Sequence, residues 1–454
     1  SEMATEKEDN VEEIKKKTLS GLFWRFGERI LAQVISFIVS VILARLILPD
    51  EYGIIAIVTI FINIANVFVT SGLGTSLVQK KDADELDFST MFWTSLVMSI
   101  ILYMILFYFS PVIAKIYNNE LLTIVLRIMG LRLIVAAINS IQQAYVARKM
   151  IFKKFFFSTL IGTIISAIVG IVMAFWGFGV WALVVQYLTN SVIDTIVLHF
   201  TIHWKPKLQF SYERFKRLFS FGWKIMVSSL IGTVFDQLRG LIIGARYSSK
   251  DLAYNNKGEQ IPNLLTNNIN STMESVLLST IAKVQDDKQN VKRAIRRLMK
   301  TSSFIIMPLL IGLAAVAEPF IDILLTNKWS SCVPYLRIVC IQQCFSILNT
   351  INLQAIKAVG RSDVTLKLEF VKKPIYLIVI LIMMNISPLA ICVGNAIYSV
   401  ITLFINSRPN NKILNYSLKE QISDIIVYFL LSLFMGVVVM LIGLININKY
   451  VLLG

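Results

Sequence analysis

The sequence of 454 residues predicts an all-α polytopic membrane protein, and three observations carry that expectation. Hydrophobic residues make up 56% of the chain and charged residues only 16%, with a mean hydropathy of +0.69. A soluble domain of this size could not keep so much apolar surface from water. Apolar runs of about twenty residues recur along the whole chain, and each is long enough to cross a hydrocarbon core. Lys and Arg gather in alternate connections between those runs, as they do where charge sets topology.

The net charge of +16 invites a nucleic-acid reading. The basic residues sit in short loops between apolar runs, so no nucleic-acid partner is expected. Cys332, Cys340, Cys344 and Cys392 show no CxxC spacing, which predicts neither a disulfide framework nor a metal site. Residues 1–10 are polar and lack an apolar core, so no cleaved signal peptide is expected.

The predicted spans are 19–47, 53–79, 88–110, 120–147, 152–176, 178–202, 218–247, 251–282, 298–326, 332–358, 364–385, 387–407 and 421–445. Pro49, Gly53, Pro111, Gly177, Pro206 and Pro388 help to punctuate them. One set of connections holds Lys15 to Lys17, Lys80 and Lys81, Arg148 and Lys149, Lys205 to Arg217, Lys283 to Arg297, Lys357 and Arg361, and Arg408 to Lys419. The alternate connections hold only Lys115, Lys250, Lys328 and Lys449, which places the N-terminus in the cytoplasm. The seven Trp lie toward span ends and are expected as interfacial anchors.

The same alternation requires a crossing that hydropathy would miss. The basic loops at 205–217 and 283–297 both belong inside, so 251–282 must cross despite its Asn, Gln and Glu. Pro262 is placed to kink it. Thirteen spans would leave the C-terminus outside. The apolar start at 451–454 leads to the expectation that a fourteenth helix is missing.

Polar groups inside spans carry the functional signal. Asn256, Gln260, Asn263, Asn267, Asn270 and Glu274 recur every three or four residues and form one helical stripe. Helix–helix hydrogen bonding would use such groups, but a stripe this long fits a hydrated cavity better. Span one carries Arg25, Glu28 and Arg29, each disfavoured in lipid by about 2.5–3.5 kcal/mol at a bilayer centre. Span seven carries Lys224, Asp236, Gln237 and Arg239. Arg132 and Asp194 are equally open to lining a cavity or to being paired. Gln343, Thr350, Gln354 and Lys357 form a second, shorter stripe, and Glu369 is spaced to pair with Lys372. The central parts of spans three, nine, twelve and thirteen are almost charge-free and predicted to face lipid.

Two stretches repeat. Leu43-Ala44-Arg45 precedes Pro49-Asp50-Glu51-Tyr52-Gly53, and Gly244-Ala245-Arg246 precedes Lys250-Asp251-Leu252-Ala253-Tyr254. Upstream, Trp24-Arg25 corresponds to Trp223-Lys224. The copies are six spans apart, an even number, so they run in the same direction. Parallel repeats with a site between them are a common transporter plan.

The stretches SFIVSVILARLILPDEYG (36–53), SGLGTSLVQKKDADELDFS (71–89), QQAYVARKMIFKKFFFSTLIGTIIS (142–166), FGVWALVVQ (178–186), YNNKGEQIPNL (254–264) and NINSTMESVLLSTIAKVQDD (268–287) resemble the polysaccharide transporter family. These are the Wzx-type lipid-linked oligosaccharide flippases of the multidrug/oligosaccharidyl-lipid/polysaccharide superfamily. The resemblance covers essentially the whole chain. It implies two six-helix lobes around a central cavity open alternately to each side. On that plan 1–18 is a cytoplasmic segment, 19–202 the first lobe, 203–217 a cytoplasmic linker, 218–407 the second lobe and 408–454 an extension holding helix thirteen. It also implies an undecaprenyl-pyrophosphate-linked glycan as substrate, moved outward across the bilayer, with a polysaccharide polymerase and chain-length regulator as partners.

A pyrophosphate needs fixed cations, which Arg supplies bidentately. By position, Arg25, Arg29, Lys224 and Arg239 are its expected ligands. The glycan is assigned to Asn256, Gln260, Asn263, Asn267 and Asn270. Glu28, Asp236 and Glu274 are the candidates for a coupling Na⁺ or H⁺. No Walker P-loop is present in the sequence, so no nucleotide cofactor is expected. Two alternatives compete. A drug/cation antiporter of the same superfamily would want an acidic cavity, against the excess of Arg and Lys here. A membrane polymerase would want a catalytic outer loop, and every outer connection is short. His199 and His203 lie at the inner end of span six and suggest an interface rather than catalysis. The expectation is a transporter, not an enzyme.

Overall fold

The computed structural model describes residue 27 and residues 30–71, 73–80, 82–284, 288–358 and 361–443. Every regular element among them is helical. In chain order these are α1 (Ile30–Leu46), α2 (Pro49–Thr70), α3 (Leu73–Gln79), α4 (Glu85–Ile116), α5 (Leu121–Gly130), α6 (Arg132–Lys149), α7 (Lys153–Phe175) and α8 (Val180–Thr201). There follow α9 (Tyr212–Arg246), α10 (Ser249–Val284), α11 (Lys288–Ala315), α12 (Ala317–Leu325), a 3-10 turn (Asn327–Cys332), α13 (Val333–Ala358), α14 (Ser362–Met383), α15 (Pro388–Leu414) and α16 (Leu418–Gly443).

Ten helical segments among the described residues are long and apolar enough to cross a membrane. They include α5 with α6 as one segment broken only at Leu131, and the 3-10 turn with α13 as another. The polytopic all-α expectation is therefore met. The residues expected to form a hidden span lie in one uninterrupted helix, α10, of 36 residues. At 1.5 Å per residue it is about 54 Å long. It carries too many polar groups to qualify by hydropathy.

Local sequence explains the helix starts. Asp84 caps α4 by accepting from the Asp87 amide at 2.9 Å, and Asp87 accepts in return from the Asp84 amide at 3.1 Å. Ser387 accepts from the Ala390 amide at 3.0 Å, with Pro388 in the first turn of α15. Pro49 opens α2, and Glu51 accepts from the Leu48 amide at 3.1 Å.

The described residues group into two compact units that meet in sequence between Lys250 and Asp251. In the first, α7 runs along α8, α4 packs on α5 and α6, and α2 packs on α6 and α9. In the second, α11 packs on α13 and α16, and α13 on α15, which also carries α14. Outward faces are apolar. On α16, Val427, Leu430, Leu431, Phe434 and Val437 are exposed at helical spacing, and α4 exposes Val97, Ile100, Ile101, Met104 and Ile105. Those faces suit hydrocarbon, as expected for spans three and thirteen.

The tryptophans correct the sequence reading in part. Trp176 and Trp223 are 74% and 42% exposed, as interfacial anchors would be. Trp329 and Trp204 are core residues, 0% and 6% exposed. Trp204 packs among Phe88, Phe92 and Tyr145 with ring centroids 5.8–6.3 Å away. The connection after α8 folds back onto the first turns of α4. There the Lys207 and Ser211 amides donate to the Ser89 and Thr90 hydroxyls at 3.2 Å each. Trp24 lies outside the described residues. The expected Glu369–Lys372 pair forms at 2.5 Å.

Candidate functional site

The α10 row divides between two uses. Gly258 brings the helix against the start of α13, because a Cβ there would lie 2.7 Å from the Tyr335 Cβ and 2.9 Å from the Leu336 nitrogen. That approach tucks Lys257 inside at 7% exposure. Its Nζ donates to Gln260 Oε1 at 3.1 Å and stands 5.7 Å from the Trp329 ring centroid. One turn on, Gln343 Nε2 donates to Asn263 Oδ1, so the two stripes read from the sequence meet side chain to side chain. Asn268 Nδ2 returns to the Leu264 carbonyl at 2.9 Å. Asn256 and Asn267 are exposed, and Asn270 is half-buried with its Oδ1 accepting no hydrogen bond. Part of the row thus holds helices together, the use the sequence reading had set second. Glu274 belongs to α10, but its side chain lies outside the described residues.

Arg25, Glu28 and Arg29 also lie outside the described residues. On α9, Lys224 and Asp236 are exposed and Arg239 is half-buried. Asp236 and Arg239 stand one turn apart on that helix. Lys224 and Arg239 are separated by fifteen residues, about 22 Å along the helix axis.

A feature the sequence reading largely missed is a cavity of about 660 Å³ in the first unit, among α2, α3, α6, α7 and α8. Arg132 and Asp194 both line it, and each takes neutral partners. Arg132 Nε donates to Ser191 Oγ at 2.8 Å, with its guanidinium 5.5 Å from the Tyr187 ring centroid. Asn139 Nδ2 donates to Asp194 Oδ2 at 2.9 Å and to Thr195 Oγ1 at 3.1 Å, and Gln143 Nε2 donates to Asn139 Oδ1 at 2.5 Å. The second oxygen of Asp194 and the Oδ1 of Asn66 are buried without a donor in good hydrogen-bonding geometry, and the Ser158 hydroxyl is a further neutral neighbour of the Asp194 carboxylate. Gly162 backs the site. A Cβ there would lie 3.1 Å from the Asn190 carbonyl oxygen and 3.5 Å from the Asp194 Cβ, so α7 presses α8 into place.

A signal for this cavity was present in the sequence. Asn63, Asn66 and Thr70 follow the spacing used to find the α10 row, and Arg132, Asn139 and Gln143 share one helical face at separations of seven and four residues. The repeat points the same way. Arg45 and Arg246 are 201 residues apart, and the same separation relates Asn66 to Asn267 and Thr70 to Ser271. Thr70 Oγ1 donates to the Asn66 carbonyl at 2.9 Å, and Ser271 Oγ donates to the Asn267 carbonyl at 3.0 Å. The two halves therefore share a polar element at the same position of the repeat.

A family model described as "Polysaccharide biosynthesis protein" matches residues 42–334. The chain is 24% identical over 434 residues to the lipopolysaccharide biosynthesis protein WzxC of Escherichia coli (strain K12), covering 92% of this chain and 86% of that protein. It is 24% identical over 354 residues to the teichuronic acid biosynthesis protein TuaB of Bacillus subtilis (strain 168), covering 77% and 73%. With the succinoglycan biosynthesis transport protein ExoT of Rhizobium meliloti (strain 1021) it shares 23% over 333 residues, covering 73% and 67%. Among solved structures, the lipid II flippase MurJ in an inward closed conformation superposes with a TM-score of 0.77 at 15% identity, covering 94% of each chain. An inward-facing multidrug resistance MATE family transporter of the MOP superfamily gives 0.64 at 13% identity, covering 87% and 99%. These likenesses show the fold.

Proposed function

The chain belongs to the polysaccharide biosynthesis protein family, among the Wzx-type flippases, and we propose that it carries an undecaprenyl-pyrophosphate-linked oligosaccharide from the cytoplasmic to the outer leaflet by alternating access. The cargo on this reading is a repeat unit of an O-antigen, capsule or exopolysaccharide. The setting is a bacterial cytoplasmic membrane with the N-terminus inside. Family members are transporters rather than enzymes, in keeping with the names of the relatives.

The observation that carries the proposal is the α10 row, a set of amides inside a fold of membrane-spanning helices. Amides and hydroxyls facing lipid would be strongly disfavoured, and a glycan in transit needs hydrogen-bonding groups in place of water. Asn256, Gln260, Asn263, Asn267 and Asn270 are assigned to the sugars. Arg25, Arg29, Lys224 and Arg239 are assigned to the pyrophosphate. The spacing of about 22 Å on α9 makes Lys224 and Arg239 successive stations rather than one clamp. Glu28, Asp236 and Glu274 are the candidates for a coupling Na⁺ or H⁺. By repeat, 19–202 and 218–407 are the proposed lobes, joined by 203–217 and extended by 408–454. That division assigns α9 to the second half, where packing groups it with the first. A polysaccharide polymerase and a chain-length regulator are the proposed partners.

The test is export of lipid-linked glycan in cells whose own transporter is deleted. Arg25→Gln and Arg239→Gln each abolish export while leaving folded protein in the membrane. Wild-type export by both variants rejects the pyrophosphate assignment.

A further inference from the structure

We propose that the cavity among α2, α6 and α8 is a second sugar-binding station, which grips a hydroxyl-rich saccharide through Asp194, Asn66 and Asn139. The proposal rests on the flippase reading and adds to it a place and a chemistry.

Two buried acceptors in this cavity, Asp194 Oδ1 and Asn66 Oδ1, have no donor in good hydrogen-bonding geometry, with the Ser158 hydroxyl standing near the Asp194 carboxylate. Native structures leave few such groups unsatisfied, because an orphaned polar atom loses its hydration without recompense. A ligand that supplies O–H donors removes that penalty. Donors stand beside these acceptors. Arg132 engages Ser191 through Nε, which leaves its other N–H groups for a ligand oxygen. A sugar hydroxyl is both donor and acceptor, so adjacent hydroxyls can bridge Asp194 and its neighbours in one grip.

Other ligand classes fit less well. A pyrophosphate would meet the Asp194 carboxylate. A metal cation would want six or more oxygen ligands in the case of Ca²⁺, and Arg132 is only one helical turn away, attached to Ser191 on α8. A neutral polyhydroxyl ligand suits a site with one cation, one anion and several amides. The volume of about 660 Å³ falls inside the range of roughly 300–1,000 Å³ usual for ligand pockets. The site is also held rigid. Gln143 orients Asn139, Asn139 orients Asp194, and the contact at Gly162 fixes α8 from behind.

The experiment uses the full chain in proteoliposomes. The probes are undecaprenyl pyrophosphate, bare or carrying a ladder of neutral hexoses from a single sugar upward, with a photoreactive diazirine on the terminal sugar. The wild-type protein flips the sugar-bearing probes, and the diazirine cross-links to peptides of α6 or α8. In Asp194→Asn and Asn139→Ala, the ratio of flipping of the longest probe to the bare lipid falls about tenfold. Asp194→Asn keeps the shape and the acceptor for Asn139, so it separates binding from folding. If wild-type flips the sugar probes but cross-links only elsewhere, or both variants keep the wild-type ratio, this station is wrong and the flippase reading stands. If wild-type flips none of the probes, the flippase reading fails and the station with it.

Discussion

Asp424 gathers three partners in the second unit. Arg296 grips it with two bonds of 2.7 Å, Lys300 approaches to 3.2 Å, and the Tyr416 hydroxyl donates at 2.9 Å. Burial, with the Asp424 charge beside it, holds the Tyr416 hydroxyl well above the usual phenol range, so it stays a donor. Asp424→Ala removes the shared acceptor. Arg296 is 37% exposed at its side chain and can rehydrate, so the expected loss is about 2–3 kcal/mol rather than that of a wholly buried pair. Chemical unfolding in detergent measures it, and an unchanged midpoint contradicts a structural role for the cluster. In the first unit Asp87 plays a comparable part, taking Lys80 and Arg214, the latter at 3.1 Å. Neither aspartate stood out in the sequence. Arg296 reaches Asp424 across 128 residues, and local spacing carries no record of such a partner.

At the scale of elements, α10 is the instructive case. Its polar face was legible because a helix places every third or fourth residue on one side whatever it packs against. Which of those amides would meet another helix was not legible. That depended on Gly258 letting α10 close onto α13, which sets the depth at which Asn263 finds Gln343. Gly258→Val forces the two backbones apart and is expected to cost about 1–3 kcal/mol. A thermal unfolding series of the purified variants checks this, with wild-type stability counting against the close approach. A double-mutant cycle on Asn263→Ala and Gln343→Ala should give a coupling of about 0.6 kcal/mol, the average for hydrogen bonds between membrane helices. Zero coupling would mean that this contact does not persist in the bilayer.

For the whole molecule, the cysteines and the driving force are open to test. Cys332, Cys340, Cys344 and Cys392 are buried and form no disulfide, each with 0% exposure. A membrane-impermeant maleimide should leave all four unlabelled in native proteoliposomes and label them after denaturation. Fast native labelling of any one contradicts the packing around it. Outward movement of negative charge across an inside-negative membrane is favourable by about 2.3 kcal/mol per charge per 100 mV. If voltage drives flipping, proteoliposomes with an imposed potential and no ion gradient transport a lipid-linked saccharide. If a Na⁺ or H⁺ gradient is needed instead, that preparation is silent.

Taken alone, the sequence determined the solvent, the all-helical polytopic class, the place of most helices along the chain, and the polar face of α10. Lipid demands apolar runs of set length and sorts basic loops to one side, and both are written in linear order. Even the broken repeat at Arg45 and Arg246 is a local pattern. Tertiary structure decided which polar residues meet: Asn139 with Asp194, Gln343 with Asn263, Arg296 with Asp424. It also buried Trp204 and Trp329, which linear position had put at the interface. Those outcomes depend on how closely backbones approach and on what partner stands opposite. Close packing settles both only when distant segments come together.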